Sequence, residues 1–348
     1  MSETYTSTTS QTQTSSTPSQ TTTTSSTTTS SPETSSTTTT TTTQTTTTTT
    51  TAPTEEAYWE HPWQYAPVKL NGETYWITYY KYYYKVQPNQ SAPVYEYIVE
   101  KSVGKETVDV CGMDMMGNTV DLGEHEAYAY KTIVTPVKAE KLQGKLTVTV
   151  WYLSNVSEAF IYPWDVTWMG YMSPTGSPSG DFVGIQFDYI GQTFRIMNPN
   201  PFQSGLFPCA KGESDAFSNI GQDLTNLYIG WVATLHLGLW YSWEETNVLV
   251  PQSGVWTDGD GHSWSWSTTP DGSATYDGKS FKLVDFQWNY QGTVEGVKLQ
   301  GSGKFSPHLP LLVEGDGYYS YKDEESGKTT VIYAYVNIED LKLEKVSG

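Results

Sequence analysis

The sequence predicts an all-β or β-dominated fold: antiparallel sheets, stacked as a sandwich or drawn into one strongly curved sheet, with at most one or two short helices, behind a disordered stalk. Three observations predict it. Residues 1–54 hold 30 Thr and 12 Ser, two acids (Glu3 and Glu33) and no Lys or Arg. Residues 55–348 hold all 13 Trp and 25 of the 26 Tyr, residue types that favour a half-buried pleated surface. In that second part, short aromatic and β-branched runs alternate with Gly-bearing turns, the rhythm of an antiparallel meander.

The stalk comes first. Ordering a backbone costs about 1–2 kcal/mol per residue, and a Thr/Ser tract has no apolar surface to bury against that cost. Its composition is that of a mucin-like stalk with O-linked sugars, or of a bare linker. Aromatics begin abruptly at Trp59, His61, Pro62, Trp63 and Tyr65, where the chain is expected to pack onto the domain. That domain runs 55–348, as one unit or as two packed sub-domains parted near 198–215. Thr74–Val86, with six Tyr and one Trp, reads as a long strand. Strands follow at Val94–Lys101, Glu106–Cys111, Glu124–Val134 and Lys145–Tyr152, with turns at Gly104, Gly117–Asn118, Gly123 and Gly144. Asp181–Ile190 and Thr193–Met197 flank Gly191 as a hairpin. Asn198–Cys209 carries three Pro and excludes a helix. Ser214–Leu227 predicts a short helix, capped by Ser214 or Asp215, with Phe217, Ile220 and Leu224 on one face. Leu227–Trp243, apolar nearly throughout, predicts one or two buried strands. Ser280–Tyr290, Thr293–Phe305, Gly317–Lys322 and Thr329–Leu343 complete the set, with Gly327 in the last turn.

All 19 Lys and Arg lie in the domain against 36 of the 38 acids, which leaves it at −17. Phosphate binding needs clustered cations, and Arg195 is the only Arg. Nucleic acid and anionic membranes are therefore poor partners. No apolar run is long enough to span a bilayer. Met1 leads straight into Ser and Thr. The expectation is an extracellular or cell-surface protein whose leader was removed at Met1, touching a membrane only through that lost leader or a lipid anchor. Cys111 and Cys209 form no CxxC, which argues against thiolate zinc and c-type haem. They read either as a disulfide, closing a loop worth about 4–5 kcal/mol in chain entropy, or as two buried thiols. Asn89-Gln90-Ser91 and Asn155-Val156-Ser157 are candidate glycosylation sites in loops.

No motif names a reaction, and no catalytic residue is assigned. GxSxG and HExxH are absent, and His61, His125, His236, His262 and His308 are scattered. In a strand, His125 faces away from both Glu124 and Glu126. The one cofactor candidate is calcium at Asp258 and Asp260, in Asp258-Gly-Asp260-Gly-His262. Alternating carboxylates wrap Ca²⁺ in this way, but Thr269 stands where an EF-hand needs Glu, and an Asp-Gly turn has the same letters. Trp264 and Trp266 share one strand face. With Trp256 they form either an aromatic platform for sugar rings or part of the core. Trp240 and Trp243, three apart, fall on opposite strand faces.

The Thr tract Thr37–Thr51, the Tyr-dense strand Tyr75–Tyr84 and the single Arg resemble the Thr- and Tyr-rich cell-surface proteins and lipoproteins of hyperthermophilic archaea. The resemblance implies a place at the cell surface and no particular activity. The first functional expectation is a non-enzymatic surface protein that presents its β domain to polysaccharide, to another surface protein or to its own copies. The second is a carrier of an apolar ligand, with Ser306-Pro307-His308-Leu309-Pro310 bending the sheet around a groove. The third is an extracellular glycoside hydrolase with paired carboxylates from distant strands.

Overall fold

Among the described residues, fourteen strands form one hydrogen-bonded sheet, and every pairing between them is antiparallel. The computed structural model describes residues 68–154, 181–212, 215–217, 220–230, 234–235, 251–293, 296–323 and 325–346. The stalk 1–54, the junction residues Trp59–Tyr65, Asn155, His236, Trp240 and Trp243 lie outside the described residues. The first eight strands are β1 (Val68–Leu70), β2 (Glu73–Gln87), β3 (Tyr95–Met113), β4 (Thr119–Lys138), β5 (Leu146–Tyr152), β6 (Phe182–Tyr189), β7 (Gln192–Met197) and β8 (Phe207–Gly212). Helix α1 (Gly221–Gly230) follows. The remaining strands are β9 (Gln252–Thr257), β10 (Ser263–Tyr276), β11 (Lys279–Gln291), β12 (Lys298–Ser306), β13 (Leu309–Lys322) and β14 (Thr329–Lys345).

Strands β3 to β8 pair in sequence, and β8 returns to β3 at Gly112↔Pro208 and Met113↔Phe207. This closes a ring of six strands. Its interior holds Val108, Val110, Ala127, Ala129, Trp151, Val183 and Met197 around Cys111 and Cys209. The two cysteines are joined in a disulfide with Cα atoms 5.9 Å apart. It sits beside the shortest seam of the ring, where β3 and β8 share only those two rungs. Further along the same edge of β3, from Tyr95 to Ser102, β2 takes the place of β8. The sheet then runs β2-β14-β13-β12-β11-β10 to the edge strand β9.

Two turns expected from Gly lie inside strands. Gly104 pairs with Ala129, so the runs at Val94–Lys101 and Glu106–Cys111 form one strand, carried through by the long partner β4. Gly123 has φ +81° and sits where the register slips between Val110 and Cys111. It is a bulge, and a residue with a Cβ is strained at that φ.

The helix is shifted toward the C-terminus. A 3₁₀ turn at Asp215–Phe217 precedes it, and it runs to Gly230. Leu227–Gly230 and Thr234–Leu235 are thus helical, correcting the strand reading of Leu227–Trp243 for those residues. The cause is packing. Ile220 and Leu227, seven apart on one helical face, are buried, and the carbonyl of Leu227 accepts a hydrogen bond from Tyr84 Oη at 2.9 Å. A Cβ on Gly230 would lie 2.5 Å from Val86 Cγ2, so Gly lets the helix end approach β2.

The Tyr-dense strand divides its rings between two faces. Tyr80, Tyr82, Tyr84 and Val86 are buried on the side that carries α1, while Tyr79, Tyr83 and Lys85 face outward. The same alternation sends Phe286, Trp288, Leu299, Phe305, Ala334 and Val336 into the main core. Among the described residues, no helix is long and apolar enough to cross a membrane.

Candidate functional site

Strands β9 to β13 repeat one local pattern, a polar residue between large or small apolar neighbours: Ser263-Trp-Ser-Trp-Ser267, Phe286-Gln-Trp-Asn-Tyr290, Leu299-Gln-Gly-Ser302. Side chains alternate along a strand, so the polar set shares the outer face. Register then aligns them into two rows across five strands. One row is Val255, Ser265, Asn289, Gln300 and Tyr318; the other is Ser253, Ser267, Gln287, Ser302 and Asp316. Together they line an outer groove of about 590 Å³. At about 4.8 Å per strand, it runs for roughly 19 Å.

The groove is chemically neutral apart from Asp316, which accepts a hydrogen bond from Ser302 Oγ at 3.0 Å. Its carboxamides and hydroxyls both donate and accept. At the β13 end, Tyr318 is 40 % exposed and packs on Tyr333 with ring centroids 4.7 Å apart. A smaller recess continues from it through Asp285, Lys304, Glu314 and Tyr335, sharing Ser302 and Asp316 with the groove. Burial, followed by the nearby Asp271 charge, holds the Asp285 carboxyl above the usual carboxylate range.

Beyond the recess, the outer face becomes a ladder of Tyr, Glu and Lys. Tyr79 donates to Glu100 at 2.8 Å, Tyr83 to Glu96 and Tyr335 to Glu314 at 3.1 Å. Lys85 Nζ lies 5.2 Å from both the Tyr83 and Tyr335 ring centroids. The bond to Glu96 pushes the Tyr83 hydroxyl up to about 12; burial does the same for Tyr333 and Tyr335. Folding favours the neutral phenol in each. Its contribution is whole below the ordinary value near 10 and disappears as pH rises through about 12. We therefore expect stability to fall between those pH values, with tyrosinate absorbance rising together with loss of the β-sheet circular dichroism. Ionisation of these tyrosines near 10 without loss of stability would refute this.

The three tryptophans do not make an exposed platform. Trp264 and Trp266 do share a face, but it is the core side: Trp264 is 4 % exposed and Trp266, half-buried, lies parallel to Phe286 at 6.2 Å. Only Trp256, on the edge strand β9, is 52 % exposed. The aromatic platform is corrected for the physical reason that the polar Ser positions, not the Trp positions, face outward.

The Asp258 carboxylate is engaged within its own turn. Asp258 Oδ1 accepts N–H bonds from Asp260 (3.0 Å) and His262 (2.9 Å), and Oδ2 lies 2.6 Å from His262 Nδ1. Thr293 Oγ1 lies 3.2 Å from Nε2 of the same ring. The carboxylate is thus spent on pinning the β9–β10 turn. Among the described residues, no three His, Cys, Asp or Glu side chains gather to hold a metal. Asn89 Oδ1 caps its own loop by accepting from Ser91 and Ala92 at 2.9 and 3.0 Å. His125 is half-buried, with its ring 3.9 Å from that of Phe202.

No protein-family model matches the chain, and no curated protein matches it. Among solved structures, the chain is similar to a candidate lipoprotein of Parabacteroides distasonis ATCC 8503, at 10% identity over 76% of this chain and 95% of that one, with a TM-score of 0.19. It is also similar to a DUF1329 family protein of Desulfovibrio piger ATCC 29098, at 6% identity over 77% of this chain and 85% of that one, with a TM-score of 0.20.

Proposed function

We propose that this chain is an extracytoplasmic binding protein whose β domain holds a neutral polysaccharide along the outer groove of β9–β13. The observation that carries it is the groove lining: two in-register rows, mostly Ser, Gln and Asn, with Val255 at one end, one carboxylate, and the Tyr318–Tyr333 pair at the other end. A sugar chain offers hydroxyls in place of charge and apolar C–H faces beside them. Carboxamides, hydroxyls and an aromatic ring meet both requirements, and none of the lining residues is basic, as an anionic ligand would need. The disulfide and the Thr/Ser stalk support an oxidising location outside the cytoplasm. The apolar-carrier reading ranks second, because Phe286, Phe305, Leu309 and Leu312 already fill the core side at 0 % exposure.

The test is affinity electrophoresis and calorimetry with soluble β-glucan, xylan and mannan. Gln287 and Asn289 are exposed, as is Tyr318, so replacing all three with Ala should leave the melting temperature nearly unchanged. Binding is expected to weaken about tenfold or more, since each lost polar contact is worth about 0.5–1.5 kcal/mol. Failure of the wild-type chain to bind any neutral polysaccharide, or full binding by the triple variant, would overturn the proposal.

A further inference from the structure

The hairpin that joins β3 to β4 carries Met113-Asp-Met115-Met116-Gly117 at its tip. Gly117 N–H donates to the Asp114 carbonyl at 3.0 Å, which places Met115 and Met116 at the two central positions of a β-turn. Asp114 N–H donates to the Asn118 carbonyl at 2.9 Å and closes the loop. The Asp114 carboxylate accepts from the backbone N–H groups of Met116 and Asn118, both at 2.8 Å, and from Asn118 Nδ2 at 3.0 Å. The backbone of the tip is therefore fixed, and its carboxylate is turned into the loop.

The thioethers are left outside. Met115 and Met116 are each 88 % exposed, and Met113 is 37 % exposed. Turn centres favour Asp, Asn, Ser, Pro and Gly for backbone reasons. An apolar side chain left in water gains no burial energy. What methionine offers at such a position is a flexible, polarisable sulfur. Thioether sulfur is a soft ligand that selects Cu(I)-like ions over Ca²⁺ or Mg²⁺. Three of them fall within four residues, on long unbranched side chains at a turn whose backbone is pinned.

We propose that this tip binds one soft monovalent cation, Cu(I) or Ag(I), through the sulfurs of Met113, Met115 and Met116. The site is separate from the groove, and its fate does not depend on the polysaccharide reading. The probe is Ag(I), which needs no reductant and so leaves the Cys111–Cys209 disulfide closed. Titration of the full chain by calorimetry and native mass spectrometry should show one tightly held Ag(I), not displaced by Ca²⁺ or Mg²⁺. Changing Met113→Leu, Met115→Leu and Met116→Leu together keeps side-chain volume and removes sulfur. Binding should then weaken about tenfold or more while the melting temperature holds. Should the triple change lower stability, Met115→Leu with Met116→Leu touches only the two most exposed positions and gives the same readout. Equal Ag(I) affinity in these variants, or no Ag(I) bound by the wild-type chain, would overturn the assignment.

Discussion

Replacing Asp223 with Ala is expected to destabilise the domain by about 3–5 kcal/mol, because at least two buried donors lose their acceptor at about 1–3 kcal/mol each, and to lower Tm on the order of 10 °C. Asp223 lies on α1 and is 0 % exposed. Its carboxylate accepts four hydrogen bonds: from Tyr97 Oη at 2.5 Å and from the N–H groups of Glu140, Lys141 and Leu142 at 2.9, 2.7 and 2.8 Å. One side chain thereby ties the helix to β3 and to the chain between β4 and β5. Ala would leave the buried Tyr97 phenol and the buried Leu142 N–H without an acceptor, and would free the part-buried N–H groups of Glu140 and Lys141. Asp223→Asn keeps one oxygen and should fall between Ala and wild type. Tyr97→Phe removes a single donor and should cost about 1–2 kcal/mol. Thermal and denaturant unfolding of the three variants checks the ranking. An Ala variant within experimental error of wild type would show that the helix docks without this anchor.

Reducing the Cys111–Cys209 disulfide should have an effect of similar size. The two residues are 98 apart in sequence, and a loop of that size is worth about 4–5 kcal/mol of unfolded-state entropy. The effect should also be local. The β3–β8 seam has two rungs, so opening the crosslink should raise hydrogen exchange in β7 and β8 before it does so in β11–β14. Cys111→Ala with Cys209→Ala gives the same comparison without reductant. Uniform exchange across the sheet, or an unchanged Tm, would show that the ring is held by its packed interior alone.

Much of the fold was legible in the sequence because strand chemistry is local. The period-two alternation in Thr74–Val86 and in Thr329–Leu343 located β2 and β14 closely, since a strand shows one residue in two to the core whatever its neighbours are. Gly104 was misplaced as a turn because a Gly inside a long ladder looks, in sequence, like a Gly that ends one. The shift of the helix to Gly230 depended on Tyr84 and Val86, more than a hundred residues away.

For the candidate site, alternation within each strand sets Ser265 opposite Trp264 and Trp266, and Gln287 and Asn289 opposite Phe286 and Trp288. It also determined that Trp264 and Trp266 point together. Only the tertiary structure decided which face is core, because alternation is symmetric and the side that buries Trp264 and Trp288 is the one that joins the main hydrophobic cluster. Register did the rest: it drew polar side chains from five strands into two continuous rows and brought Cys209 back to Cys111. Pairing between distant strands is a property of the closed hydrogen-bond network and of no single segment, so the groove could be seen only once the strands were side by side.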